Sequence, residues 1–187
     1  MQQDNKIKIA VSSCLLGEAV RYDGTDKHID YITGQLAKEY TLISLCPEMA
    51  IGMGVPRAPI HLVDNGKRID AVGVEDSENN VTDALLQYGK SIQQSHPDIC
   101  GYIFKKNSPS CGPAKVKVMV PETGIYEPRG QGVYVSAIRK YFPGLPVIDE
   151  EDLLDVRIMN EFINKVAKFS KLKNFVAWNY DYKNKNH

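Results

Sequence analysis

Apolar residues in this chain fall into short continuous runs that alternate with longer stretches where they recur every three or four positions. The runs at about Lys6 to Ser12, Thr41 to Leu45, Ile99 to Phe104 and Pro146 to Ile148 predict strands. The periodic stretches at about His28 to Tyr40, Val81 to Ser95, Gly132 to Tyr141 and Glu151 to Phe169 predict helices. Thr25 or Asp26 is the candidate N-cap of the first helix, and Leu85, Leu86 and Tyr88 form the apolar side of the second. Pro47 suits the first position of a further short helix, which Gly52 and Gly54 end. Lys115 to Val120 alternates apolar and polar residues and reads as a half-exposed strand. Val55 to Gly73 is rich in Pro and Gly and reads as loop with short strands, and Lys105 to Pro113 reads as turns. Asn179 to His187 is polar and reads as a frayed tail.

Strands alternating with helices predict an α/β fold: a three-layer Rossmann-like domain with a mainly parallel sheet and right-handed crossovers. The 187 residues suffice for one domain with a full core, taken as about 6–170. In such a sheet, ligands collect outside the carboxyl ends of the strands. That edge is where the chemistry of this chain is expected.

Three of the four cysteines stand there. Cys14 (V-S-S-C-L-L-G), Cys46 (L-C-P-E) and Cys111 (S-P-S-C-G) each follow a strand, next to Gly, Pro or Ser. Cys100 lies within a strand and reads as a small buried hydrophobe. Neither close C-x-x-C pairs for zinc nor the compact ferredoxin run is present. Three widely spaced thiols brought together by a sheet edge can hold an iron–sulfur cluster and leave one iron without a protein ligand. That iron can act as a Lewis acid and accept a soft sulfur atom.

Other groups fall on the same edge. Glu48 lies two residues after Cys46, in the first turn of the short helix. It reads either as a carboxylate favoured by the helix dipole or as a group that moves protons and orients water. Ser12, Ser13, Ser108 and Ser110 are turn residues whose hydroxyls can also bond a carbonyl or thiocarbonyl. Arg21, Arg57, Lys105 and Lys106 read as solvated loop charge or as cations for a phosphate. Cys14 and Arg21 resemble a phosphatase loop, but six residues separate them where that loop has five. His28, His61, His96 and His187 show no ligand spacing.

Composition narrows the classes. Lys plus Arg and Asp plus Glu are 23 each, so no basic face for duplex nucleic acid is predicted. The apolar run near the start is too short for a signal-peptide core or a membrane span, so a cytoplasmic protein is expected. In that reducing compartment the cysteines read as thiols rather than disulfides.

Four stretches together resemble the thiouracil desulfidase family. They are S-S-C-L-L-G-E-A-V-R-Y-D-G, C-P-E-M-A-I-G-M-G-V-P-R-A-P, K-K-N-S-P-S-C-G and G-Q-G-V-Y, within about Lys6 to Leu153. The resemblance implies a catalytic [4Fe-4S] cluster held by Cys14, Cys46 and Cys111. It also implies an open iron that takes sulfur from a thiolated uracil, assisted by Glu48 and a serine of S-P-S-C-G. The resemblance further implies that some longer relatives carry an extra domain and act on modified tRNA; without such an extension, a free thiolated base, nucleoside or nucleotide is the expected substrate. Two other readings stay open at this point. One is a non-catalytic iron–sulfur or nucleotide-binding protein, such as a sensor or sulfur carrier. The other is a metal-free cysteine hydrolase using Cys14 or Cys111.

Overall fold

The computed structural model describes residues 6–185, with side chains to residue 175. Four parallel strands form the main sheet: β1 (Lys8–Ser12), β2 (Thr41–Leu45), β5 (Ile99–Phe104) and β8 (Val147–Asp149), in the order β2-β1-β5-β8. A second, mixed sheet contains β3 (Ile60–Asp64), β4 (Ile69–Gly73), β6 (Val116–Val120) and β7 (Ile125–Gly130), in the order β4-β3-β6-β7.

The middle of the main sheet is covered on both faces, which is why β5 and Ile9, Ala10 and Val11 of β1 are apolar and buried. Ile9 and Val11 of β1 face one side, with Ile32, Leu36, Phe162 and Val166. Ala10 faces the other, with Ile92, Tyr134 and Ile138. The first layer comes from α1 (30–39) and α5 (Val156–Lys185), and the second from α3 (Thr82–Ser95) and α4 (Val133–Tyr141). A short α2 (Pro47–Ala50) follows β2. The three-layer α/β domain with a mainly parallel sheet is therefore present.

The single sheet expected from the strand pattern is not the whole account. The second sheet packs on the far side of α3 and α4, where Leu62, Ala71 and Val118 meet Leu85 and Val133. These two helices are thus buried on two sides. They approach closely because α3 has Gly89 at the contact: a Cβ there would stand 2.5 Å from that of Ala137.

Four boundaries differ from the sequence pattern. β7 was not expected, since I-Y-E-P-R-G carries a proline and is exposed except at Gly130; an edge strand tolerates both. The helix expected from His28 begins at 30 and is a π-helix over Ile32–Leu36. Neither Thr25 nor Asp26 caps it. Asp26 Oδ1 accepts the His28 N–H at 2.9 Å as an Asx turn, and the Lys27 and Ile29 N–H groups bond the Cys14 and Leu15 carbonyls. That segment is laced to the loop after β1 instead of opening a helix. The last helix begins at Val156, after a 3-10 turn at Asp152–Leu154. It then runs to Lys185 rather than fraying at 179, since no Gly or Pro interrupts it; residues 186 and 187 lie outside the described part.

Cys100 is the second residue of β5. The β1–β5 register slips there, Lys8 pairing with Ile99 and Ile9 with Gly101, so Cys100 is the unpaired residue of a bulge. It stands at the amino end of the strand, inside the core. The other three cysteines lie beyond the carboxyl ends. Among the described residues, no helix is long and apolar enough to cross a membrane.

Candidate functional site

The order β2-β1-β5 puts the ends of three parallel strands side by side, with the chain leaving β1 toward the layer of α1 and leaving β2 and β5 toward the layer of α3 and α4. Cys14 sits in a 3-10 turn, Ser13–Leu16, that Gly17 ends with a φ of 91°. Cys46 is the residue between β2 and α2, and Pro47 opens that helix as its fixed φ favours. Cys111 lies in the loop after β5. The three thiols line one cavity of about 80 Å³, together with Ser12, Ser13, Val20, Arg21, Tyr22, Glu48, Arg57 and Lys105. A larger groove of about 560 Å³ between α3 and α4 holds no thiol and no carboxylate, so volume does not mark the chemistry here.

Cys14 and Cys111 are buried and Cys46 is partly so. Burial pushes the Cys14 thiol up to about 11, and the charge of Cys46 adds to the shift. Burial raises Cys46 too. It raises Cys111 furthest, reinforced by Glu48 and Cys46 and offset in part by a hydrogen bond from Ser12. The thiols therefore sense one another, and alone they stay protonated at neutral pH. A metal-free cysteine nucleophile needs the opposite shift, and no histidine lines the cavity. A cationic metal group would draw the protons off.

The donor set fits a cluster better than a single ion. Among the described residues, no three His, Cys, Asp or Glu side chains are placed to hold one metal ion. A cluster binds each thiolate through a different iron, so its ligands surround a cavity, as these do.

Glu48 is fixed from two sides. Arg57 donates to Oε2 from Nε at 2.8 Å and pairs with it through Nη2 at 2.6 Å. The fully buried Ser110 donates to Oε1 at 2.8 Å. Arg57 also reaches the Gly54 carbonyl at 2.7 Å and the Val20 carbonyl at 2.9 Å, and its side chain is only 6 % exposed. The arginine expected to meet a phosphate thus spends its donors inside the protein. Breaking a buried, hydrogen-bonded pair costs about 3–5 kcal/mol. Arg57→Ala is expected to lose stability on that scale, measured by urea unfolding of the apoprotein.

The remaining residues divide. Ser12 lines the cavity, and its Oγ accepts the Lys105 N–H at 3.1 Å. Ser13 also lines it and shares a 2.7 Å hydrogen bond with Ser44, which in turn donates to Glu18. Lys105 pairs with Glu150 at the rim. Lys106 does not line the cavity; its ammonium pairs with Glu151 at 2.8 Å. Ser108 does not line it either. Its Oγ accepts the N–H groups of Ser110 at 3.2 Å and Cys111 at 3.0 Å, so it shapes the loop that presents them.

Sequence reasoning missed Tyr22 and the reason for G-Q-G-V-Y. A Cβ on Gly132 would stand 2.2 Å from the Ser110 carbonyl oxygen and 2.8 Å from the Cys111 nitrogen. The Cys111 loop rests directly on the start of α4, tied by the Val133 N–H to the Pro109 carbonyl at 3.0 Å. Gly132→Ala is expected to displace that loop and cost about 1–3 kcal/mol. Its effect on cluster retention should exceed that of Gly124→Ala, at an open turn, in iron assays after reconstitution.

The sequence profile of the 2-thiouracil desulfurase family matches residues 9–150. The chain is 31% identical over 162 residues to the uncharacterized protein YbbK of Bacillus subtilis (strain 168), covering 79% of this chain and 99% of that protein. Among solved structures it resembles the [4Fe-4S]-dependent thiouracil desulfidase TudS. The TM-score is 0.62 at 27% identity, over 83% of this chain and 99% of that one.

Proposed function

Because the chain belongs to the 2-thiouracil desulfurase family, we propose that it removes sulfur from a thiolated uracil, turning C=S into C=O. One water enters and one hydrogen sulfide leaves, with no net electron transfer. The observation that carries this reading is the convergence of Cys14, Cys46 and Cys111 on one cavity that also contains Glu48. The three cysteines would hold a [4Fe-4S] cluster, which, when bound, offers a soft thiocarbonyl sulfur one iron that has no protein ligand.

The chain's own residues supply the rest. Both Arg57 contacts fall on Oε2 of Glu48, whereas Oε1 accepts from Ser110. A carboxylate oxygen has two acceptor sites, so Oε1 keeps one for the attacking water. Glu48 takes a proton from that water at Oε1 and returns it as hydrogen sulfide departs. Arg57 and Ser110 hold the carboxylate in place through both steps. The hydroxyls of Ser12 and Ser13 bond the polar edge of the pyrimidine, and Ser108 keeps Ser110 and Cys111 in position. A sensor or sulfur carrier would have no use for a carboxylate so fixed beside the thiols.

Arg21, Arg57, Lys105 and Lys106 each stand beside a carboxylate: Asp23, Glu48, Glu150 and Glu151. The rim is close to neutral, which favours the uncharged base or nucleoside over the nucleotide. The test is anaerobic reconstitution followed by incubation with 2- and 4-thiouracil and their nucleosides and nucleotides. The expected result is dethiolated product and sulfide in equal amounts without an electron donor. No sulfide from any of the panel, or a stoichiometric need for reductant, overturns the reading.

A further inference from the structure

We infer that Tyr22 is the stacking platform for the pyrimidine ring and sets the preference of the cavity for flat, aromatic thiocarbonyl compounds. The inference rests on the desulfidase reading and adds the feature that selects the substrate. Tyr22 lines the same cavity as the three thiols and Glu48. It is 44% exposed, and it is the one aromatic side chain among the residues that line this cavity.

The ring is supported on one side. The Arg21 guanidinium carbon lies 5.7 Å from its centroid, and that guanidinium is held in turn by Thr25 Oγ1 at 2.7 Å. A planar cation on one face polarises the ring and leaves the opposite face for a planar ligand.

The backbone beneath it is fastened. The Tyr22 carbonyl accepts the Arg57 N–H at 2.9 Å, and the Val20 carbonyl accepts from Arg57 Nη2, also at 2.9 Å. Residues 21–25 close on themselves, Arg21 N bonding the Thr25 carbonyl and Gly24 N the Arg21 carbonyl. The residue that orients Glu48 therefore also positions the turn that carries Tyr22. A ring held in this way loses little freedom when a ligand stacks on it, so the contact goes into affinity. Base–aromatic stacking of this kind changes binding by roughly 5- to 100-fold.

The test compares uracil with 5,6-dihydrouracil, which keeps the same polar groups and loses the flat aromatic ring. Dissociation constants are measured on the reduced apoprotein by NMR titration for wild type, Tyr22→Ala and Tyr22→Phe. Tyr22→Ala is expected to weaken uracil by roughly 5- to 100-fold while changing dihydrouracil little. Tyr22→Phe keeps the wild-type preference. In the reconstituted enzyme, Tyr22→Ala should raise KM for 2-thiouracil with kcat unchanged, as for loss of uniform binding. Equal loss of both ligands, no loss of either, or no uracil binding by wild type overturns the inference. If wild type releases sulfide and Tyr22→Ala matches it in KM, the platform fails and the desulfidase reading stands. If uracil binds with the ring preference but no thiouracil is desulfurised, the platform stands and that reading falls.

Discussion

Serine at Cys14, Cys46 or Cys111 is expected to strip the protein of iron and acid-labile sulfide after anaerobic reconstitution, while serine at Cys100 leaves both unchanged. The three lie beyond the carboxyl ends of β1, β2 and β5 and line one cavity, whereas Cys100 sits at the amino end of β5. Its thiol is turned to the Asp98 carbonyl at 3.3 Å and buried in the core. Serine differs from cysteine by one atom, but its hard oxygen is a poor partner for the irons of a cluster. The broad absorbance of the cluster and its iron content report the loss. Thermal unfolding of each apoprotein separates a missing ligand from a lost fold. Full iron in Cys111→Ser, or none in Cys100→Ser, contradicts the assignment.

Glu48→Gln is expected to keep the cluster and lose most of the activity, by about 100-fold or more in kcat. Glutamine preserves the size of the side chain and an oxygen for the Ser110 hydroxyl, yet cannot take a proton. Its amide also meets Arg57 less well than a carboxylate does, so some loss of stability accompanies the change. Iron content and absorbance identical to wild type, with the low kcat, mark Glu48 as the proton acceptor. Activity within a few-fold of wild type returns it to a carboxylate favoured by the start of α2 and held by Arg57. Loss of iron makes it part of the metal site, and the water must then find another base.

Much of the scaffold is legible in short stretches of sequence. β1 and β5 carry continuous apolar runs because they are covered on both faces, β2 is half-exposed at the sheet edge, and each cysteine follows where the run stops. Pro47 and Gly52 bracket α2 through φ preferences that belong to those residues alone; Gly52 has a φ of 86°. Local pattern therefore reaches the parallel sheet, its carboxyl edge and three of the groups that stand there.

Partnerships between distant residues are another matter. Arg57 and Lys105 carry the same charge whether they face solvent or a carboxylate, and only the fold pairs them with Glu48 and Glu150. The proline in β7 argues against a strand until that strand proves to lie at an edge. The stretch after Asp26 has helical periodicity, but backbone bonds to Cys14 and Leu15 claim it first. Gly132 is an ordinary glycine in sequence and the seat of the Cys111 loop in space. The residue types, their order and their local conformations were determined by the sequence near at hand. Which groups meet across the cavity, and which charges are already spent, depended on contacts between segments far apart in the chain, which no local propensity encodes.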